Sequence, residues 1–226
     1  MREVVIDTET TGLNFRSGDR ITEVGCTELI NYIATDNNLQ FYCSVNKEVS
    51  EDAVRISGLT NEFLSKHPPF ENNVDRFLSF IKNDTLIIHN ADFDMGFLNN
   101  ELSLLGRPPL KNSVIDTVGL ARKTLNTRIA NLDYLCRRFS IDLSERDLHG
   151  ALLDTKLLAE VYLELKGGKQ ISMNLSASDK KKETSLESVD KSKITFSHVG
   201  LADNDILKHK SLMKEIKNSV WGKINY

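Results

Sequence analysis

The sequence predicts an α/β fold: a mixed β-sheet with helices on both faces, followed by a flexible C-terminal linker and tail. Three observations lead to it. Short apolar runs rich in β-branched residues recur at residues 3–6, 21–30, 39–45, 86–88 and 114–115, each of strand length. From residue 71 onward such runs alternate with amphipathic helical segments, the pattern of strands added in parallel. At Gly167-Gly168 the composition turns Ser- and Lys-rich, with no aromatic residue until about Lys193; such a segment has too little apolar surface to build a core.

The first strand, Glu3–Ile6, places Asp7 at its end. Side chains two apart on a strand share a face, so Asp7 and Glu9 project together if the strand continues that far. Two adjacent carboxylates raise each other's pKa, and a bound cation removes the conflict. Hard oxygen ligands suit Mg²⁺ or Mn²⁺. An isolated Asp-x-Glu more often marks a turn and a solvated side chain, but this one lies within Thr8-Glu9-Thr10-Thr11-Gly12. Gly12 permits a tight turn there, whose free N–H groups are expected to face a phosphate.

Ile21–Ile30 and Leu39–Val45 continue as strands, with Phe41, Cys43 and Val45 alternating, and complete an antiparallel meander. Glu71–Lys82 reads as a helix with Val74, Phe77, Leu78 and Ile81 turned inward. The strand Leu86–Ile88 ends at His89-Asn90, and Asp94 falls in the first turn of a helix running to about Leu105. Met95, Leu98, Leu102 and Leu105 form its apolar stripe. The helix dipole favours a first-turn carboxylate with or without a metal. Asp92 is the N-cap candidate, and His89 is expected to orient a carboxylate. Val114-Ile115 is the last strand, Asp116 caps the helix after it, and Asn131–Phe139 is a short helix.

Ala151–Leu165 combines strong helix formers with a broad apolar face. Asp154 lies in its first turn, and Tyr162 belongs to the core. His149 and Gly150 precede it, on a loop expected to be mobile. A histidine near its ordinary pKa takes a proton from water at neutral pH. A lone histidine is more often structural, but this one stands five residues before a candidate metal ligand.

Taken together, Val4–Gly12, His89–Asp94 and His149–Asp154 resemble the three ordered motifs of the DEDDh family of 3′-to-5′ exonucleases, over about residues 2–166. Asp7 and Glu9 match the first motif, Asp94 the second, His149 and Asp154 the third. Within that family the chain most resembles the proofreading (epsilon) subunits of bacterial DNA polymerase III, with support from Ile21–Gly25, Gly58–Leu64 and Leu148–Asp154. The resemblance implies an RNase H-like sheet over residues 1–167. It implies two Mg²⁺ or Mn²⁺ ions, roughly 4 Å apart, at the scissile phosphate. Asp7 would bridge both ions, Glu9 and Asp154 would complete one shell, and Asp94 would hold the other ion. His149 would deprotonate the attacking water, and a deoxynucleoside monophosphate would leave. Asp7, Glu9 and Asp154, together with Thr8, Thr10 and Asn90, would adjoin the terminal nucleotide. Asp52 and Ser57 occupy a loop where relatives carry a glutamate and a histidine near substrate, so a contact there is expected to be shortened or lost.

The formal net charge of −3 carries no basic signature. That argues against a free-standing nucleic-acid binder and suits an enzyme handed a DNA 3′ end by a partner. Cys26, Cys43 and Cys136 are odd in number and read as reduced, buried residues of a cytoplasmic protein. No signal peptide or membrane-length apolar run is present, so no membrane partner is expected.

Residues 168–193 read as the linker. Within it Gln170–Leu175 resembles the short peptide by which bacterial replication proteins bind the sliding clamp. Residues 194–226 regain apolar character, with Ile206, Met213, Ile216 and Val220 near one helical face and Leu212 and Trp221 adjoining. The resemblance makes this tail the binding segment for the polymerase (alpha) subunit, tethered by the linker; a small theta-like subunit is a further possible partner. Two other functions fit less well. A DEDDh exoribonuclease, such as an oligoribonuclease or a ribonuclease T-like enzyme, needs no such tail. A silent tether between polymerase and clamp would be expected to lose at least one of the five site residues.

Overall fold

In the computed structural model, residues 1–144, 146, 148–168 and 203–215 are described, with only the backbone for 213–215. The N-terminal meander is longer than the apolar pattern predicts. It comprises β1 (Arg2–Thr10), β2 (Ile21–Ile30) and β3 (Ile33–Tyr42). β1 reaches Thr10 because its polar half, Asp7–Thr10, stays paired with β2. β3 starts at Ile33 because Asn31 and Tyr32 both take positive φ (51° and 71°), the geometry of a two-residue hairpin turn. It ends at Tyr42, so Cys43 and Val45 lie beyond the strand, although Cys43 remains buried.

Two short helices that the sequence pattern missed follow: α1 (Glu51–Ser57), capped by Ser50, and α2 (Asn61–Leu64), capped by Thr60. α3 (Val74–Ile81) starts later than expected, after a 3₁₀ turn at Phe70–Asn72. Then come β4 (Thr85–Ile88), α4 (Ala91–Leu104), β5 (Val114–Asp116), α5 (Thr117–Leu125), α6 (Leu132–Arg138) and α7 (Ala151–Leu165).

The strands form one five-stranded sheet in the order β3-β2-β1-β4-β5. β1–β2 and β2–β3 are antiparallel, and β1–β4 and β4–β5 are parallel. Alternation along the strands splits the core into two layers. Val4, Ile6, Leu86 and Ile88 pack with Phe77 and Ile81 of α3 and Phe97, Leu98 and Leu102 of α4. Val5 and Ile87 pack on the other face with Ala121, Leu135 and the Leu157–Tyr162 segment of α5, α6 and α7. Tyr162 is fully buried, and its hydroxyl donates to Glu3 Oε1 at 3.0 Å. The three cysteines are buried and unpaired.

The chain divides into two units, Met1–Met173 and Asn174–Tyr226. Among the described residues the second holds α8 (Asp203–Glu215), on which Leu207 and Leu212 are largely exposed. Gln170–Leu175, most of the linker, and Ile216, Val220 and Trp221 lie outside the described residues. No described helix is long and apolar enough to cross a membrane.

Candidate active site

β1, α4 and α7 bring the three motifs together at the C-terminal end of β1, the central strand of the sheet. Asp7 stands opposite Gly25 on β2, and Glu9 opposite Glu23. A Cβ at Gly25 would overlap the Ala151–Leu152 backbone, so the missing side chain is what lets α7 begin against the sheet. Gly150, the N-cap of α7, offers no side-chain cap. Glu23 takes that role and accepts the backbone N–H groups of Ala151 and Leu152. A hydroxyl contact of 2.7 Å between Thr27 and Thr155 adds a second tie. These contacts deliver Asp154, in the first turn of α7, beside Glu9.

Ligand atoms of Glu9, His149 and Asp154 lie within 4.8 Å of one another. Asp7, His149 and Asp154 also line a single cleft of about 410 Å³, with His89, Asn131, Asp133, Arg137 and Arg146. Asp94 comes from the opposite layer. It is buried in the first turn of α4, and the Thr8 hydroxyl donates to its Oδ1 at 2.7 Å. Its charge bears on Asp7 more strongly than that of any other residue.

Electrostatics divides these carboxylates. Burial and then the Asp94 charge push Asp7 well above the usual carboxylate range. Burial and then Glu23 raise Glu9 to about 8, and burial raises Asp94 to about 7. Asp154 goes the other way: burial pushes it up, but hydrogen bonds from His149 and Arg146 outweigh that and hold it low. His149 is raised, chiefly by its contact with Asp154. Clustered hard oxygens, an imidazole within reach, and two carboxylates (Asp7 and Asp94) pushed up rather than held low together fit a divalent cation.

Other expected contacts fall elsewhere. Asp92 is the second residue of α4, not its cap; Asn90 is the N-cap, in a left-handed conformation, and its N–H donates to Asp116 Oδ1 at 3.0 Å. Asp116 does cap α5, accepting from Val118 N. His89 bonds Thr117 Oγ1 at 2.9 Å, not a carboxylate. Thr10 donates to Gly12 O. The turn at Gly12 is packed rather than open: the Asp19 carboxylate stands where a Cβ would be, and the Thr11 and Asn14 N–H groups bond Arg20 O and Asp19. Asp52 is exposed and paired with Arg55 at 2.8 Å. Ser57 spends its hydroxyl on Ala53 O and Leu59 N. Neither lines the cleft. Just before α7, His149 N donates to Ile56 O at 3.0 Å.

Sequence reasoning missed Arg146. Its Nε and Nη2 bond the two Asp154 oxygens at 2.6 Å each, and Nη1 pairs with Asp133. It also missed the capping role of Glu23.

Comparison with known proteins agrees with this geometry. A sequence-family model described as Exonuclease (RNase_T) matches residues 4–162. DNA polymerase III subunit epsilon of Rickettsia felis is 48% identical over 188 residues, covering 81% of each chain. The protein of the same name from Rickettsia prowazekii is 40% identical over 222 residues, covering 96% of this chain and 97% of that one. The Salmonella typhimurium counterpart is 44% identical over 183 residues, covering 77% and 75%. Among solved structures, the nuclease domain of 3′hExo, a DEDDh family member bound to rAMP, superposes with a TM-score of 0.64 at 18% identity, covering 73% of this chain and 90% of that one. Exonuclease X in complex with 5′ overhanging duplex DNA superposes at 0.59 and 21%, with the same coverage. At these identities the structures speak for the fold, an RNase H-like sheet of the exonuclease type. The chain belongs to the exonuclease family, among the DNA polymerase III epsilon subunits.

Proposed function

We propose that Asp7, Glu9, Asp94 and Asp154 hold two divalent cations, Mg²⁺ or Mn²⁺, and that His149 takes the proton from the attacking water. The chain is a 3′-5′ exonuclease of the proofreading, epsilon type, and enzymes of this family depend on divalent metal. When bound, the cations neutralise the phosphate, steady the leaving oxygen and make water acidic. The chain's own residues supply the rest. The β1 backbone fixes Asp7 and Glu9 on one face. Thr8 orients Asp94 from the other face. His149 is half exposed at the cleft, where an imidazole can meet a water and pass its proton to solvent. Its Nδ1 lies 3.3 Å from Asp154 Oδ2, so Asp154 steadies the imidazolium that forms.

One observation carries this reading: Asp7 and Asp154, 147 positions apart in sequence, share one cleft with His149, and Glu9 stands within ligand distance of the latter two. The reading extends to the whole chain as a nuclease domain (1–167), a linker (168–193) carrying a clamp-binding peptide at Gln170–Leu175, and a polymerase-binding segment (194–226). Support comes from epsilon-named relatives matched over 96% of the chain and from the exposed leucines of α8. The substrate is a mispaired DNA 3′ end, the compartment is the cytoplasm, and the partners are a polymerase subunit, the clamp and a theta-like subunit. The test is cation-dependent digestion of a primer with a mismatched 3′ end beside a short RNA. Faster release of deoxynucleoside monophosphate is expected from the mismatch; faster release from RNA would make the enzyme an exoribonuclease.

A further inference from the structure

Arg146 holds both oxygens of a carboxylate that the proposed cation site would use. Its side chain is only 7% exposed. It spans both oxygens of Asp154, and its Nη2 also stands 2.9 Å from His149 Nδ1. A guanidinium only donates, so it draws on lone pairs of both Asp154 oxygens, the atoms Asp154 brings to the Glu9–His149–Asp154 cluster. Guanidinium and metal carry like charges and repel when both sit at contact distance on one buried carboxylate, so each weakens the other's hold on Asp154. Arg146 has a second anchor: its Nη1 pairs with Asp133, a half-exposed residue of α6 on the same cleft. It can therefore leave Asp154 without leaving the cleft wall.

We propose that Arg146 is a built-in counter-ion that competes with the divalent cation for Asp154: it holds Asp154 and His149 in register before loading, and loading moves it to Asp133. This rests on Asp154 being a cation ligand. It makes Arg146 a positioning residue, acting through Asp154 and His149. His149 Nδ1 faces both Arg146 Nη2 and Asp154 Oδ2; it accepts from the first or donates to the second, so loading, by moving Arg146, leaves it to donate to Asp154. Nothing in the local sequence around Arg146 announces this; the contacts across the cleft do.

The test is Mn²⁺ titration of the full chain, with free ion counted by electron paramagnetic resonance, and thermal unfolding with and without the ion. Arg146→Gln is expected to bind Mn²⁺ about tenfold more tightly than the parent, the weight of one charge-assisted bond. Arg146→Lys, which keeps the charge but loses the bidentate fork, is expected to fall between the two. Without metal, Arg146→Gln should melt below the parent, and saturating Mn²⁺ should close that gap. A bracket with a purely structural role predicts the reverse, a looser Asp154 and weaker binding. Equal or weaker Mn²⁺ binding by folded Arg146→Gln overturns the proposal. If that variant does not fold, Arg146→Lys decides: tighter binding supports competition and unchanged binding overturns it. Asp154→Asn separates the two readings, because parental Mn²⁺ binding by that variant would remove Asp154 from the cation site and sink the proposed site itself.

Discussion

The two halves of the cleft handle the same problem differently. On one side, Asp7 and Glu9 of β1 are partly buried, Asp94 of α4 is buried, and the pKa values of all three are pushed up. On the other side, Asp154 of α7 is buried too, yet it is held low by His149 and Arg146. What separates them is a guanidinium. The chain compensates one carboxylate with its own charge and leaves the others protonated or waiting for an external cation. A carboxylate without an internal counter-charge is ready for an external cation, whereas Asp154 must exchange one charge for the other.

The largest effect expected from breaking the first side is that of Asp7→Ala. Losing a carboxylate shared by the whole cluster should lower single-nucleotide release on the order of 10³-fold, with the circular-dichroism spectrum intact. Near-normal release would move the chemistry elsewhere.

On the Asp154 side, His149→Ala should lower kcat by about 10²-fold, the low end for a lost general base. Mn²⁺ affinity should stay within a few-fold of the parent. A collapse of that affinity would make His149 a ligand instead of a base, a distinction its place in the Glu9–Asp154 cluster makes worth drawing.

A smaller effect is expected from Thr8→Val. It removes the hydroxyl that donates to Asp94 and leaves the strand intact. Activity or metal affinity should fall about tenfold, as for other partners that orient a ligand. No change would show that the α4 turn positions Asp94 unaided.

The gentlest contrast is in stability against pH without metal. Groups with raised folded values bind protons in the folded state that the unfolded chain has released, so stability falls as pH rises from about 4.5, the unfolded carboxylate value. For Asp94 and Glu9 the loss is complete above about 7 and about 8. Asp154 works in the opposite direction, and its contribution is lost on acidification below the usual carboxylate range. Melting temperature should therefore decline between pH 5 and 8, and divalent cation should restore it. A flat profile would mean that the Asp7, Glu9 and Asp94 carboxylates are compensated after all.

Much of this was legible in the residues. Asp7 and Glu9 share a face because strands alternate, and β1 does extend to hold both. Asp94 and Asp154 sit in first helical turns because the apolar periodicities of α4 and α7 begin there. Helices cover both sheet faces because Val5 and Val4 point opposite ways. α1 and α2 were not legible, because helices of seven and four residues show too few turns for periodicity to register. The Gly12 turn was misread because its packing partner, Asp19, is fixed by the hairpin and not by the turn's own residues. Glu23 reads as an ordinary strand glutamate until α7 is laid on it. Arg146 stands eight positions before Asp154, in a stretch without periodicity, and only the approach of α6 to α7 closes the pair.

The central claim is that the Asp7, Glu9 and Asp94 carboxylates are a seat for cations. Calorimetric titration of Mn²⁺ into the metal-free protein at pH 6.5, 7.2 and 8.0, in buffers of different ionisation enthalpy, tests it most directly. Binding should release protons at the lower pH values and tighten as pH rises, and both effects should vanish in Asp7→Ala. Binding that is independent of pH, releases no protons and persists in that variant would contradict it.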